Sequence, residues 1–264
     1  MPTNPKETWT THRGKTWSVR LTFLMAVLLL WETIARLHIW PDYLFPAPSG
    51  VAATLIRGFR DQTFFIAISR SLWRLIRGYV AATAGGLALG MLLAQSRGFK
   101  TTFGMLVMGL QTLPSICWLP LALLWFGLNE QAIIFVIVMG SMLSVAQATE
   151  DGIRNSPPVY IQAARNLGAD GVNLYLRVIF PSAWPSIVTG MKMGWSFAWR
   201  SLMAGELLYA VPGLGNLLAM GRELNDMNQV VAVIIVIITL GLISDKLIFA
   251  ALEKQVRAKW GFQK

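Results

Sequence analysis

The stretch Ser156-Pro-Pro-Val-Tyr-Ile-Gln-Ala-Ala-Arg-Asn-Leu-Gly168, which continues to Pro181, lies between two long apolar parts of the chain. It is too polar to span a bilayer and too short to form a soluble domain of its own. A segment of this kind must pack against other parts of the chain, and we expect it to lie at the membrane surface. The fold of the chain therefore depends on the two apolar parts that this stretch connects.

Local signals inside the stretch predict a helix–turn–helix. Pro157 and Pro158 suit the first turn of a helix, Gly168 suits a helix C-terminus, and Asp170 can cap a second helix. The Phe-Pro pair that ends at Pro181 is expected to end the second helix. We predict a first helix of about ten residues that is available to a partner.

The composition points to a membrane protein. The 264 residues are 55% hydrophobic and only 14% charged, with a mean hydropathy of +0.53. A net charge of +10 could suggest nucleic-acid binding, but the basic residues are scattered singly among apolar stretches, which argues against it. Cys117 is the only cysteine, so the chain has no internal disulfide and no cysteine metal cluster.

Long uncharged stretches predict an all-α, polytopic membrane protein with about six transmembrane helices. Nineteen uncharged residues are enough to cross a hydrocarbon core of about 30 Å. Pro114 and Pro120 predict that the third span is kinked or broken. The predicted spans are residues 21–40, 78–96, 101–125, 131–149, 183–208 and 227–244.

Two spans carry small residues at every fourth position, which predicts close helix–helix packing. One series is Gly78, Ala82, Gly86, Gly90 and Ala94; the other is Ser182, Ser186, Gly190, Gly194 and Ala198. Between the first and second spans, Ser49 suits the N-cap of a helix over about 50–60. Residues 51–77 contain five arginines, and we expect them to be amphipathic and interfacial.

Charged and polar residues within the spans are candidates to line a polar pathway through the membrane. Glu32 and Arg36 are four residues apart, and we expect a local ion pair near an interface, with an intramembrane site as the alternative. Beside the proline breaks, Gln111, Pro114, Ser115 and Trp118 are candidates to line a polar pathway, although simple packing explains them equally well.

Arg200 is the charge that most needs an explanation, since it lies about 22 Å along the fifth span. Its guanidinium could attract an anion such as a carboxylate, sulfonate or nitrate. The alternative is a structural ion pair with Glu206 or Asp226, or a side chain that extends to the interface. Trp195 and Trp199 flank it at helical spacing, and we include Trp199, Arg200 and Glu206 among the candidate pathway residues.

Six spans place both termini on one side of the membrane. If that side is the cytoplasm, thirteen of the 23 Lys and Arg residues lie in inner segments and six in outer segments, of which five are in 51–77. The positive-inside rule therefore predicts cytoplasmic termini and a cytoplasmic loop at 150–181.

Two short motifs that resemble nucleotide-binding sites fail on inspection. Gly14-Lys-Thr16 lacks the preceding glycine of a phosphate-binding loop, because Trp9 stands there. Gly213-Leu-Gly215 begins a dinucleotide fingerprint, but Leu218 replaces its third glycine. The sequence also shows no metal-ligand spacing, nucleophile elbow or paired catalytic carboxylates. We expect no catalytic residue and no cofactor on this chain.

The central stretch resembles the signature loop of ABC importer permeases. That signature reads Glu-Ala-Ala, three residues, Gly, nine residues and Ile-x-Leu-Pro; here Gln162-Ala163-Ala164 is followed at the same spacing by Gly168 and by Val178-Ile-Phe180-Pro181. The resemblance implies that Gln162, Ala163, Ala164, Gly168, Asp170 and Pro181 couple the permease to an ATPase. Gln162 replaces the family's glutamate and removes its charge.

Further stretches look like the subfamily that imports sulfonates, taurine, nitrate or bicarbonate. They are Leu44-Phe-Pro-Ala-Pro-Ser49, Leu113-Pro-Ser with Leu119-Pro-Leu-Ala-Leu-Leu-Trp-Phe-Gly127, and Glu206 with Gly213-Leu-Gly215. The resemblance implies a type I importer fold in a bacterial inner membrane and a second permease copy, most simply as a homodimer. It also implies two ATP-binding subunits that carry ATP and Mg, and a periplasmic or lipid-anchored solute-binding protein.

We therefore expect a permease that moves a small anion, with a sulfonate or taurine first, nitrate or bicarbonate next and a thiamine-precursor-like heterocycle third. A secondary transporter and a structural or signalling membrane protein are the alternatives. The expected organisation is an N-terminal tail (1–20), a first span with an outer segment (21–64), a core permease domain (65–250, including the loop 150–181) and a C-terminal tail (251–264).

Overall fold

The computed structural model describes residues 7–41, 43–95, 98 and 100–259, with side chains from residue 19 onward apart from those at 257 and 259. Within these ranges the chain is helical and has no β-strand. The α-helices are α1 (Glu7–Arg36), α2 (Pro48–Arg60), α3 (Thr63–Gln95), α4 (Met105–Gln111), α5 (Leu119–Phe126), α6 (Glu130–Arg154), α7 (Pro158–Asn166), α8 (Gly171–Leu174), α9 (Phe180–Leu208), α10 (Leu214–Glu223), α11 (Met227–Ser244) and α12 (Ala250–Lys259).

Helix α6 is the centre of the bundle, since α3 packs along one side of it and α9 along another. The small residues predicted to line helix contacts are found at these two interfaces. A Cβ on Gly86 of α3 would lie 2.6 Å from the carbonyl oxygen of Met142, and a Cβ on Gly194 of α9 would lie 2.9 Å from Val145. Both predicted strips therefore allow neighbouring helices to approach closely.

Three helices of the described chain are long and apolar enough to cross a membrane: Thr63–Gln95, Glu130–Arg154 and Met227–Val256. The pair Lys100–Gln111 and Ser115–Phe126 makes a fourth crossing if counted as one span, with a bend of 102° between its halves. The predicted break in the third span is therefore present, between Gln111 and Ser115. The predicted spans 21–40 and 183–208 lie mainly in α1 and α9, which are 30 and 29 residues long.

Residues 51–77, expected to be amphipathic and interfacial, are not one separate segment, because they are divided between α2 and the first part of α3. Helix α3 begins at Thr63 and continues without a break through Arg70, Arg74 and Arg77 into the small-residue strip. Arg74 can lie inside the bundle because it is fully buried against two carboxylates. Only α2, which ends at Arg60, remains a separate helix.

The helix predicted over about 50–60 is present as α2, but Ser49 is not its N-cap. Ala47 occupies the cap position without a side-chain hydrogen bond. Ser49 instead donates its hydroxyl to Glu32 Oε1 at 3.0 Å, and Glu32 also pairs with Arg36 at 2.8 Å. The predicted local pair of Glu32 and Arg36 is confirmed, and it also fastens α2 to α1.

The predicted end of the second helix at Pro181 is wrong. Helix α8, a π-helical turn over Tyr175–Ile179 and α9 follow one another without a gap. The amide of Phe180 donates to the carbonyl of Tyr175, so the hydrogen-bond register changes just before Pro181. A proline in the first turn of a new register loses no hydrogen bond that the helix needs, and the chain continues directly into the span.

Candidate functional site

Arg200 borders two cavities, one on either side of α9. The smaller has a volume of about 250 Å³ and is lined by Gln111, Pro114 and Ser115 at the break between α4 and α5, together with Gly140, Ser144 and Phe197. The structure thus brings three of the predicted pathway residues next to Arg200. Trp118 does not line either cavity; it packs edge-on against Phe135, with 6.3 Å between ring centroids.

The larger cavity has a volume of about 820 Å³ and lies between α9, α10 and α11. Its walls are mostly apolar, and its charged residues are Arg200, Arg222 and Asp245. Trp199 also lines it, and the buried indole Nε1 of Trp199 has no hydrogen-bond partner among the described residues. Arg200 and Trp199 therefore lie together at a large, mostly apolar space.

Arg200 forms no ion pair within the described chain, so the predicted pair with Glu206 or Asp226 is wrong. Its guanidinium lies over the ring of Phe197, 5.4 Å from the centroid, and its side chain is exposed. Asp226 instead caps α11 by accepting from the amide of Gln229. A cation without a carboxylate partner, next to two cavities, is available to bind an anion.

Glu206, also a candidate pathway residue, lies in a buried polar network. Its Oε1 pairs with Arg74 Nη1 at 2.8 Å, and its Oε2 accepts from the amide of Gly215 at 2.9 Å. The hydroxyl of Ser71 donates to the same carboxylate at 2.7 Å. Arg74 also donates to Glu130 at 2.7 Å and to the carbonyl of Pro212 at 2.8 Å. The network fixes the loop before α10 to α3, α6 and α9.

The sequence did not single out Arg74 or Ser71, although one signal was present. Arg74 is four residues before Gly78 and therefore continues the series of small residues that faces α6. A charged residue in such a series must be buried, and a buried arginine needs a carboxylate partner. Gly213 and Gly215 are required by the same carboxylate, because a Cβ at either would lie 2.5 Å from an atom of Glu206.

At the opposite end of the bundle, the residues predicted for coupling form a compact surface. Helix α7 ends at Asn166, Gly168 follows with a left-handed φ of 82°, and the amide of Ala169 donates to the carbonyl of Ala164 at 2.9 Å. Asp170 caps α8 by accepting from the amide of Gly171. The predicted helix end at Gly168 and the predicted helix cap at Asp170 are therefore confirmed.

The side chains of this surface divide into an anchored face and a free face. Ala164 is buried, Pro181 is half-buried, and Gln162, Ala163, Gly168 and Asp170 are exposed. Apolar residues accompany the exposed ones: Val159, Leu167, Val172 and Leu176. Leu167 is 89% exposed, so the free face presents apolar area to its surroundings.

Hydrogen bonds and ion pairs tie this surface to the spans. Buried Ser156 accepts from the hydroxyl of Ser182 at 2.7 Å, and Glu150 pairs with Lys100 at 2.6 Å and with Arg154 at 3.0 Å. Burial raises the pKa of the Tyr175 phenol, because the charged form would lose its hydration. The Ser156–Ser182 contact therefore joins the segment before α7 to α9, and the Lys100 pair joins the turn before α4 to the end of α6.

Among the described residues, no three His, Cys, Asp or Glu side chains lie close enough to hold a metal ion. The described part of the chain consists of a central bundle, a cation that forms no ion pair there and lies beside two cavities, and an apolar surface at one end. It defines a helical membrane transport subunit.

Comparisons with known proteins give the family. Residues 86–258 match the family described as "Binding-protein-dependent transport system inner membrane component". The chain is 31% identical over 86% of its length to a putative ABC transporter permease of Methanocaldococcus jannaschii, covering 87% of that protein. It is 30% identical to the taurine transport permease TauC of Escherichia coli, over 81% of this chain and 80% of that protein.

A third relative is the putative aliphatic sulfonates transport permease SsuC of Escherichia coli, which is 28% identical over 93% of this chain and 94% of that protein. A solved chain of an amino acid ABC transporter with histidines has the same fold, with a TM-score of 0.64, 17% identity, and 76% of this chain and 97% of that chain covered. This chain belongs to the family of binding-protein-dependent transport system inner membrane components, and it is a permease subunit of an ABC importer with the type I fold.

Proposed function

We propose that the chain provides the pathway for a small anion, with an alkyl sulfonate or taurine as the leading substrate. The observation that carries this proposal is Arg200, which has no ion-pair partner in the described chain and borders both cavities. The relatives that transport taurine and aliphatic sulfonates support it. Nitrate or bicarbonate is the second candidate, and a thiamine-precursor-like heterocycle the third.

The surface of α7 and α8 docks an ATPase subunit in this proposal. Exposed Ala163 allows close seating, and the apolar side chains of Val159 and Leu167 offer area to bury. Gln162, exposed where the family signature has glutamate, contributes a hydrogen bond without a charge. Two permease copies, most simply a homodimer, would join two ATPase subunits, which hold ATP and Mg, and a periplasmic or lipid-anchored solute-binding protein.

Closure of the ATPases would move α7 and α8 as a unit, and the rigid bundle would convert that movement into inward- and outward-facing states. The charge distribution supports placing α7, α8 and both termini in the cytoplasm of a bacterium. Arg74 no longer counts as an outer charge, since it is buried, and this strengthens the charge asymmetry.

Reconstitution of the purified complex tests the function. The chain is expected to co-purify with its ATPase. Proteoliposomes that contain the complex and the solute-binding protein should take up a labelled alkanesulfonate only when ATP is present on the side of the membrane where the ATPase subunits lie. Uptake by the chain alone in response to an ion gradient would instead show a secondary transporter. Failure of the wild-type complex to import any of the candidate anions would overturn the anion assignment.

A further inference from the structure

Arg222 is a second cation without a partner beside the larger cavity. It lies in the last turn of α10, its side chain is exposed, and it forms no ion pair with any described residue. Asp245, the acidic residue that lines the same cavity, is already paired with Lys192 at 3.3 Å. The cavity therefore has two arginines that form no ion pair with any described residue.

The two arginines occupy different depths. Helix α9 runs toward α10, and α11 returns beside it, so Leu208 and Arg222 mark one end of the cavity while Trp195 and Asp245 mark the other. Arg200 is eight residues before Leu208, about 12 Å along the helix axis. Arg222 is therefore at the end of the cavity near α10, and Arg200 is roughly halfway along the cavity.

The wall between the two arginines is apolar, with Met203, Ala204, Leu207 and Ile237 facing the cavity. The unpartnered indole N–H of Trp199, a residue nine-tenths buried, lies beside Arg200. Such a wall favours a ligand with an anionic head and an apolar body. A small hydrated anion would lose water there without gaining apolar contact.

We propose that Arg222 is a second anion-binding residue of the pathway, which captures the head of an organic monoanion at the end of the cavity near α10 and passes it to Arg200. This inference rests on the proposed function and adds to it an entry residue and a requirement for an apolar body. The same chemistry, a monoanionic head on an apolar body, is found in soluble alkanesulfonates and in anionic lipids, and the proposal commits to the soluble sulfonate.

A cysteine placed between the arginines tests the charge of the cavity directly. In the complex, Ala204→Cys is introduced together with Cys117→Ser, and the modification rates by 2-sulfonatoethyl and 2-trimethylammonioethyl methanethiosulfonate are measured. The ratio of the anionic to the cationic rate reports the local potential, because any change in thiol pKa affects both reagents equally. Arg222→Gln is expected to lower this ratio roughly tenfold.

Arg60→Gln is the matched control, since Arg60 is an exposed arginine at the end of α2 that lines neither cavity. It should leave the ratio unchanged, and Arg222→Lys should retain most of the wild-type ratio. A ratio in Arg222→Gln equal to that of the control would overturn the inference, whatever the wild-type complex transports. The proposed function fails on a separate observation, the absence of anion uptake by the unmodified chain.

Two further measurements address the source of the anion and the role in transport. Butanesulfonate should slow modification of the cysteine in nanodiscs made only of phosphatidylcholine. Protection that appears only when phosphatidylglycerol is added would show a lipid site and overturn the proposal.

Arg222→Gln should raise the half-saturating concentration for butanesulfonate uptake more than that for nitrate. Unchanged uptake despite a lowered reagent ratio would also overturn the proposed role.

Discussion

The guanidinium Nη1 of Arg74 lies 2.8 Å from Oε1 of Glu206, and the two side chains are 1% and 0% exposed. They are 132 residues apart in the chain and join α3 to the end of α9. Glu206 also receives the amide of Gly215, and Arg74 also donates to the carbonyl of Pro212. This one ion pair therefore holds the loop before α10 against the bundle.

Glu206→Ala is expected to destabilise the permease by about 3–5 kcal/mol, because it leaves the buried Arg74 with an incomplete set of partners. Thermal or denaturant unfolding of the purified chain in detergent measures the effect. Arg36→Ala is the control, since Arg36 is 73% exposed in its pair with Glu32, and it should cost at most about 1 kcal/mol. Equal effects of the two substitutions would contradict the structural role of the buried pair.

The predictions of helix starts and ends were most accurate where they depended on residues close together in the sequence. The start of α7 at its prolines, the left-handed Gly168 and the cap at Asp170 depend on neighbouring residues, and all three are present. The partner of Glu206 could not be chosen in this way. Arg200 is six residues from Glu206 in the chain, whereas Arg74 reaches it only through the tertiary packing of α3 against α9.

The same limit explains the errors at the helix ends. Arginine content suggested an interfacial segment at 51–77, because the carboxylates that neutralise Arg74 belong to distant helices. Pro181 suggested a helix end, because the π-helical turn that accommodates it cannot be recognised from a proline alone. The cavities beside Arg200 likewise form between helices that are distant in the sequence, and sequence spacing does not determine them.

Gly90→Ala is expected to destabilise the chain by about 1–3 kcal/mol through overpacking. A Cβ at this position would lie 2.6 Å from Thr149 Cβ and would also meet the carbonyl of Ala146. Gly109→Ala is the matched control, because a Cβ on this helical glycine of α4 would meet nothing within 4 Å. It should be neutral or slightly stabilising, and both variants can be compared by thermal unfolding in detergent.

Gly168→Val is expected to uncouple ATP hydrolysis from uptake while leaving membrane insertion intact. Its φ of 82° costs a β-branched residue about 1–3 kcal/mol, so the turn between α7 and α8 would change shape. Gly168→Asn is the control, because asparagine tolerates the left-handed region. The number of substrate molecules imported per ATP hydrolysed, measured in proteoliposomes, should fall in the valine variant and remain near wild type in the asparagine variant. Normal coupling in both would contradict a role for this turn.

Arg200→Gln tests the anion site itself. The substitution keeps hydrogen-bonding capacity but removes the charge, and losing a charge-assisted hydrogen bond should raise the half-saturating alkanesulfonate concentration roughly tenfold. Arg200→Lys should give a smaller increase, since it keeps the charge and loses the planar fork of donors. Arg57→Gln provides the control, because Arg57 is an exposed arginine of α2 outside both cavities. We expect the loss of affinity because Arg200 lines both cavities and has no carboxylate partner in the described chain, so its charge is available to a substrate. Uptake by Arg200→Gln with the affinity and rate of the control would show that this guanidinium serves the packing of α9, and the anion pathway would have to lie elsewhere.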